Sequence, residues 1–339
     1  MADPSRSGGV AESCSEMALL DRHQARSDRV VANMTAPTPA QAAAIEPPST
    51  LYRRWLGAFL AKQVKNEALI RDVLTAASND AEQEILKLSQ KTTWSSGVRT
   101  AQIRLAQNET KTILRSTFRR LIPIIGSGQR EEAIAAVDAL NQTDMQYLQE
   151  ALTTVDLDSF ITSQRQSAAL GVAHAISRVT QSQQPLSARV YRSQALASGW
   201  VNQVINSSIL RGDSAQDIAK QVKSSIRPDT PGGVSYAALR LGRTELNNAF
   251  HATAITMAQD RPWVTGMRWY TSAVHVNDPK EVCTQLNGQI FDVDNVPPKP
   301  HPQCRCFVAP HIESPDVFLA HLTAGQYRDW IDQNASKAA

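Results

Sequence analysis

From Tyr52 onward, apolar residues recur every three to four positions, the spacing of one helix face. Tyr52, Trp55 and Phe59 open the stripe, and Leu69, Val73, Ala77, Ala81, Ile85 and Leu88 continue it. One long helix, or a broken pair, is therefore predicted to about Gln90. Ile113, Leu114, Phe118, Leu121 and Ile122 mark a second helix over Val98 to Ile122, and Pro123 with Gly126-Ser127-Gly128 predicts its end. Two shorter helices follow, Glu131 to Leu140 and Asp144 to Val155, linked by Asn141-Gln142-Thr143. Thr143 or Asp144 can cap the second of these. A further helix is expected over Leu157 to Val179. Arg189 to Leu210 carries Val190, Leu196, Trp200, Val204, Ile205 and Ile209, with Gly212 as its stop. Ser214 and Asp217 are spaced as a capping box for a helix bearing Ile218, Val222 and Ile226. A helix over about Ser235 to Gln259 comes next.

After Pro262 the pattern changes. Trp269, Tyr270, Thr271, Val274 and Val276 suit strands. Asn287-Gly288 predicts a hairpin turn between Thr284-Gln285-Leu286 and Gln289-Ile290-Phe291. A last helix is expected over Asp316 to Gln333. The expected fold is mainly α with a small β-rich C-terminal cap, an α+β chain. Its expected organisation is an extended or disordered arm over 1–50, a helical domain over 51–182, a mixed domain over 185–312, and a helix and tail over 313–339. A short helix over Ala11 to Val31 can form within the arm, where Pro37, Pro39, Pro47 and Pro48 break any longer one.

Composition narrows the function classes. The net charge is only +3, so contact with nucleic acid would have to come from local patches. One such patch lies over 99–120, where Arg99, Arg104, Lys111, Arg115, Arg119 and Arg120 meet a single acid, Glu109. Arg115 and Arg119 stand one turn apart and repel mildly, which a negatively charged partner would relieve. A solvated basic face is the other reading. The Tyr52, Trp55 and Phe59 stripe has two readings as well, a core seam or an aromatic docking face. No run of about twenty apolar residues exists, so no membrane contact is expected. The first residues lack the apolar core of a signal peptide.

Candidate chemistry concentrates in one stretch, Val282 to Pro310. It holds Cys283, Cys304 and Cys306, three of the four cysteines, together with His301. Cys14 stands apart. Thiolates and imidazole are zinc ligands, and a structural zinc takes four in a tetrahedron. On an extended chain Cys304 and Cys306 face one side and Arg305 the other. Pro300 and Pro302 stiffen the approach. Free reduced thiols, a disulfide between two of them, or a His301 that only bonds a turn are the competing readings.

The order of residues here resembles the end of the phage head morphogenesis domain, the family of minor head proteins similar to protein F of phage Mu. Cys283, Leu286, Gly288, Phe291 and the string His301-Pro302-Gln303-Cys304-Arg305-Cys306 carry the likeness. Arg243-Thr244-Glu245 on the preceding helix and Trp269 extend it, over roughly residues 190 to 310. The family's Cys-x-x-Cys pair keeps only its second member, because Lys280 stands at the first. The resemblance implies a minor capsid protein of the virion, at or near the portal vertex, assembled in the host cytoplasm. It implies portal, capsid or scaffold proteins as partners, contact with viral DNA, and a part in head assembly, DNA packaging or ejection.

Two rival readings stand beside it. One is a nucleic-acid-binding protein that uses the 99–120 face and a structural zinc. The other is a toxin-like or protease-like enzyme. For the enzyme the signals are thin. No His-Glu-x-x-His helix exists, and Cys283 with His301 is the nearest approach to a thiol–base pair. ADP-ribosyl transfer would ask for a Glu-x-Glu pair, and 185–312 contains none. No enzymatic activity is expected. Arg243 and Glu245, two apart on a helix, point to different sides, so each is expected to tie its helix to the β cap rather than to act in catalysis.

Overall fold

The computed structural model describes residues 50–90, 99–151, 185–228, 233–272, 278–327, 329–330 and 333. The arm before Thr50 with Cys14, the helix expected over 157–179, and Val274 and Val276 lie outside the described residues.

Helix α1 (Thr50–Gln90) runs unbroken for 41 residues. Trp55, Phe59, Ile70, Val73, Leu74, Ala77, Ala81 and Ile85 form its buried stripe. Helix α2 (Arg99–Ala151) lies antiparallel to it, since Trp55 bonds Thr143 while Asn66 bonds the Ile124 carbonyl.

The stop expected at Pro123 and the link expected at 141–143 are both overturned, because α2 is continuous for 53 residues. Proline removes one helical hydrogen bond, to the carbonyl four residues back. Leu121 and Ile125 on either side are fully buried and offset that loss. Gly128 serves close packing instead of termination. A Cβ there would come within 2.4 Å of the Asn66 amide and 3.0 Å of Leu246.

Helix α3 (Leu186–Arg211) ends on Gly212 in the left-handed conformation, at φ 79°. On α3, Leu196 and Trp200 are exposed, against the expectation that they join the apolar face. Ser214 and Asp217 form a complete capping box at the start of α4 (Ala215–Ile226). Helix α5 (Gly233–Gln259) is buried along most of its length, between α1, α2, α3 and the β cap.

The cap is a three-stranded antiparallel sheet in the order β2-β1-β3, made of β1 (Val264–Tyr270), β2 (Ile290–Phe291) and β3 (Phe307–Ile312). The hairpin expected about Asn287-Gly288 does not form. Val282–Leu286 is a short helix, α6, and Ile290–Phe291 pairs with β1 instead. Glu281 caps α6 by accepting the Thr284 N–H at 3.1 Å, which commits those residues to a helical turn. Helix α7 (Pro315–Thr323) stops before Gly325 at φ 77°, so the helix expected over Asp316 to Gln333 is broken there, and helix is described again at 329–330 and 333.

Two apolar cores result. One, under the sheet, joins Trp55, Phe59, Phe250, Trp263, Trp269, Phe307 and the three cysteines. The other joins the distal halves of α1 and α2 to α3, α4 and α5. A fully buried Arg261–Asp144 ion pair at 3.3 Å fixes α2 to the start of β1, and the Trp263 indole donates to the same Asp144 at 2.9 Å.

Candidate metal centre

The three cysteines reach one point from two directions. Helix α6 presents Cys283. The extended run before β3 presents Cys304 and Cys306 on one side, with Arg305 turned the other way toward Glu67. Cys283 Sγ lies 3.4 Å from Cys304 Sγ and 3.5 Å from His301 Nε2. The three sulfurs fall within 4.8 Å of one another, as do the ligand atoms of Glu281, Cys283 and His301. All three cysteines are free and buried, while His301 is exposed.

The thiols perturb one another. Hydrogen bonds from Cys283 and Cys306 hold the Cys304 thiol well below its ordinary range, against the effect of burial. Bonding to Cys304 and Cys306, with burial, pushes the Cys283 thiol up. For Cys306 the Cys283 bond acts downward, but the Cys304 bond and burial outweigh it, leaving that thiol at about 12. Contact with Cys304 raises the His301 imidazole to about 9, helped by the Pro302 carbonyl and Glu281.

The three thiols are donors of the kind zinc takes, and His301 joins Cys283 and Glu281 in a second, overlapping set. Sulfurs on a tetrahedral zinc with bonds near 2.3 Å lie about 3.8 Å apart, close to the spacing found here. His301 Nδ1 lies 3.0 Å from the Pro302 carbonyl, and a bond donated there would leave Nε2 to ligate and would orient the imidazole. Glu281 lies 3.1 Å from His301 Nε2 and is a further oxygen donor at the rim. Lys280 is exposed, with its backbone N–H on Asp278.

Lys299 carried no signal in the sequence. Its ammonium donates to the Cys306 carbonyl and stands over the rings of Phe59 and Trp269, at 5.6 and 5.7 Å. Burial pulls its pKa down while the neighbouring cysteines and Glu132 hold it up. Asn247 on α5 was missed too. It donates to the Cys304 carbonyl and accepts from Gln63 of α1.

Residues 200–309 match the family model described as Phage Mu protein F like protein. That stretch is a Mu F-like region. It runs from α3 to β3 and contains every cysteine and histidine of the cluster. No curated protein and no solved structure matched the chain. The match supports phage head morphogenesis as the role, the virion as the location, and other capsid proteins as partners in general. No helix among the described residues is long and apolar enough to cross a membrane.

Other singled-out residues separate clearly. Arg243 and Glu245 of the Mu F-like region hold different partners. Arg243 pairs with Glu67 of α1 and bonds Gln303 beside the cysteines, whereas Glu245 pairs with Arg189 of α3 and accepts from Gln129 of α2. Burial raises the Glu245 pKa against the pull of Arg189. Trp269 is fully buried, edge-on to His251.

Trp55 and Phe59 are corrected as docking candidates. Both are fully buried, with Trp55 edge-on to Phe250 and Phe59 packed between Phe250 and Phe307. The Tyr52 side chain lies outside the described residues. Arg115, Arg119 and Arg120 are exposed on α2, and among the described residues none has a hydrogen bond or ion pair.

The chain's one Glu-x-Glu, Glu82-Gln83-Glu84, lies on α1 outside the Mu F-like region. Its carboxylates pair with Lys223 and Lys87. Helical spacing turns the two glutamates to different sides, so they do not form a joint site.

Proposed function

We propose that the protein is a minor head component that works at or near the portal vertex, and that the basic face of α2 makes its partner contact. The observation that carries this reading is the set Arg115, Arg119 and Arg120. These are exposed cations without an ion pair among the described residues, whose repulsion an acidic surface would relieve. The protein acts in head assembly without turnover chemistry, and a role in packaging or ejection would run through the same face. Cys283, His301, Cys304 and Cys306 hold a structural zinc, which would tie α6 to the run before β3 by bonds that a cap this small otherwise lacks.

The test is charge reversal at Arg115, Arg119 and Arg120 in the full-length protein. Incorporation into heads, crosslinking to the cognate portal and affinity for duplex DNA are each measured. Loss of incorporation and crosslinking supports the reading. A steep salt-dependent loss of DNA affinity, with portal crosslinking intact, favours a nucleic-acid contact instead. Unchanged behaviour in all three assays overturns both.

A further inference from the structure

His301 and Cys304 are the two ends of a turn. The Cys304 N–H bonds the His301 carbonyl at 3.3 Å, and Pro302 and Gln303 are its central residues. Gln303 has φ 62° and is the one non-glycine residue with positive φ among those described. Proline at the first central position and positive φ at the second is the type II arrangement, whose second position ordinarily holds glycine. An L side chain is disfavoured there. Something outside the turn must hold it.

Helix α5 does so. The Gln303 N–H donates to Thr244 Oγ1 at 3.1 Å, and Gln303 Oε1 accepts from Arg243 Nη1 at 2.9 Å. Arg243 is itself locked by a two-pronged bond to Glu67 of α1, at 2.6 and 2.7 Å. Thr244 donates its own hydroxyl to the Arg240 carbonyl, which leaves its oxygen free to accept. Four residues on from Arg243, Asn247 donates to the Cys304 carbonyl.

We propose that Arg243, Thr244 and Gln303 are positioning residues. They hold the left-handed turn that brings His301 and Cys304 to Cys283, replacing by tertiary contact what glycine would supply by backbone freedom. The inference rests on reading the cluster as a metal site, but the turn can be followed without metal.

The test compares Gln303→Gly with Gln303→Ala in the full chain. Glycine adopts the left-handed conformation freely, so Gln303→Gly should keep parental affinity for Co²⁺, read from thiolate charge-transfer absorbance under chelator competition. Gln303→Ala keeps the strain and loses the Arg243 bond, and should bind Co²⁺ at least about tenfold more weakly. Replacing Arg243 and Glu67 together by Met, which leaves no unpaired charge, should weaken binding in the parent and hardly at all in Gln303→Gly. The metal-free readout is the rate at which diamide links Cys283 to Cys304. The glycine variant should match the parent and the alanine variant should be slower.

If the parent takes up no Co²⁺ yet the diamide rates separate as stated, the metal reading fails and the positioning role stands. If Gln303→Ala equals the parent in both readouts, or Gln303→Gly is as impaired as Gln303→Ala, the proposal is wrong. Should Gln303→Ala not fold, Gln303→Asn takes its place. Asparagine tolerates the left-handed region, so it should fall between glycine and the parent's other replacements, and an Asn variant weaker than Arg243→Met/Glu67→Met would also refute the role.

Discussion

Glu132 on α2 is fully buried, and neither of its carboxylate oxygens has a hydrogen-bond partner among the described residues. Burial raises its pKa from 4.5 to about 9, against a downward pull from Lys62 and Lys299 and with a further push from Glu131. At neutral pH the carboxyl is therefore protonated in the fold and ionised in the unfolded chain. Between those two values the native state holds one proton more than the unfolded state. Unfolding free energy then falls with rising pH, by about 1.4 kcal/mol per pH unit. From pH 5 to pH 7 the loss is roughly 3 kcal/mol, a large share of a typical domain's stability.

Glu132→Gln keeps the shape and removes the titration. Its stability relative to the parent should therefore grow by roughly 3 kcal/mol from pH 5 to pH 7, whatever fixed cost the buried amide carries. Burial lowers His251 to about 3, which makes stability fall as pH drops below its ordinary value of 6.5. That loss is common to both proteins and cancels in the difference. Urea unfolding at pH 5, 6, 7 and 8, with metal content held constant, measures it. Parallel curves for parent and variant would show that Glu132 is ionised in the fold and would refute the reasoning.

Three further outcomes are expected. Cys304→Ser should lower the metal content of the purified protein by elemental analysis and reduce its melting temperature, and chelator should shift the parent toward the variant; full stability of the parent in chelator would contradict a structural ion. Trp55→Ala should cost about 3–5 kcal/mol in denaturant unfolding, because it empties a core position and removes the indole's bond to Thr143; a loss below about 1 kcal/mol would mean the side chain is not buried as described. Asp144→Ala should cost about 3–5 kcal/mol by leaving the buried Arg261 charge without its counter-ion, and Asp144→Ala with Arg261→Met should recover part of that in the same assay.

Local pattern was enough for much of this chain. The stripe from Trp55 to Ile85 specified α1, and Gly212 with Ser214 and Asp217 specified the break between α3 and α4, because caps and amphipathic faces are properties of neighbouring residues. The cysteines and His301 were also legible as one cluster, through the order of residues shared with the Mu F-like family. Where local signals misled, tertiary packing had overruled them. Pro123 and Gly128 read as a helix end, yet burial of Leu121 and Ile125, and the close approach of Asn66, keep α2 continuous. Asn287-Gly288 read as a hairpin, yet the Glu281 cap and β1 drew its two arms into different elements. The fate of Trp55 and Phe59 depended on Phe250 and Phe307, far along the chain. The same holds at the cysteine cluster. Spacing groups Cys283, His301, Cys304 and Cys306, but Gln303 of the intervening turn bonds Arg243, which pairs with Glu67 176 residues away, and Lys299 and Asn247 meet the cysteine loop only in the folded molecule. Sequence pattern reports what each residue prefers among its neighbours. Which distant groups share a buried space is settled only when the cores close, since there every unmet polar group and every void carries a free-energy cost.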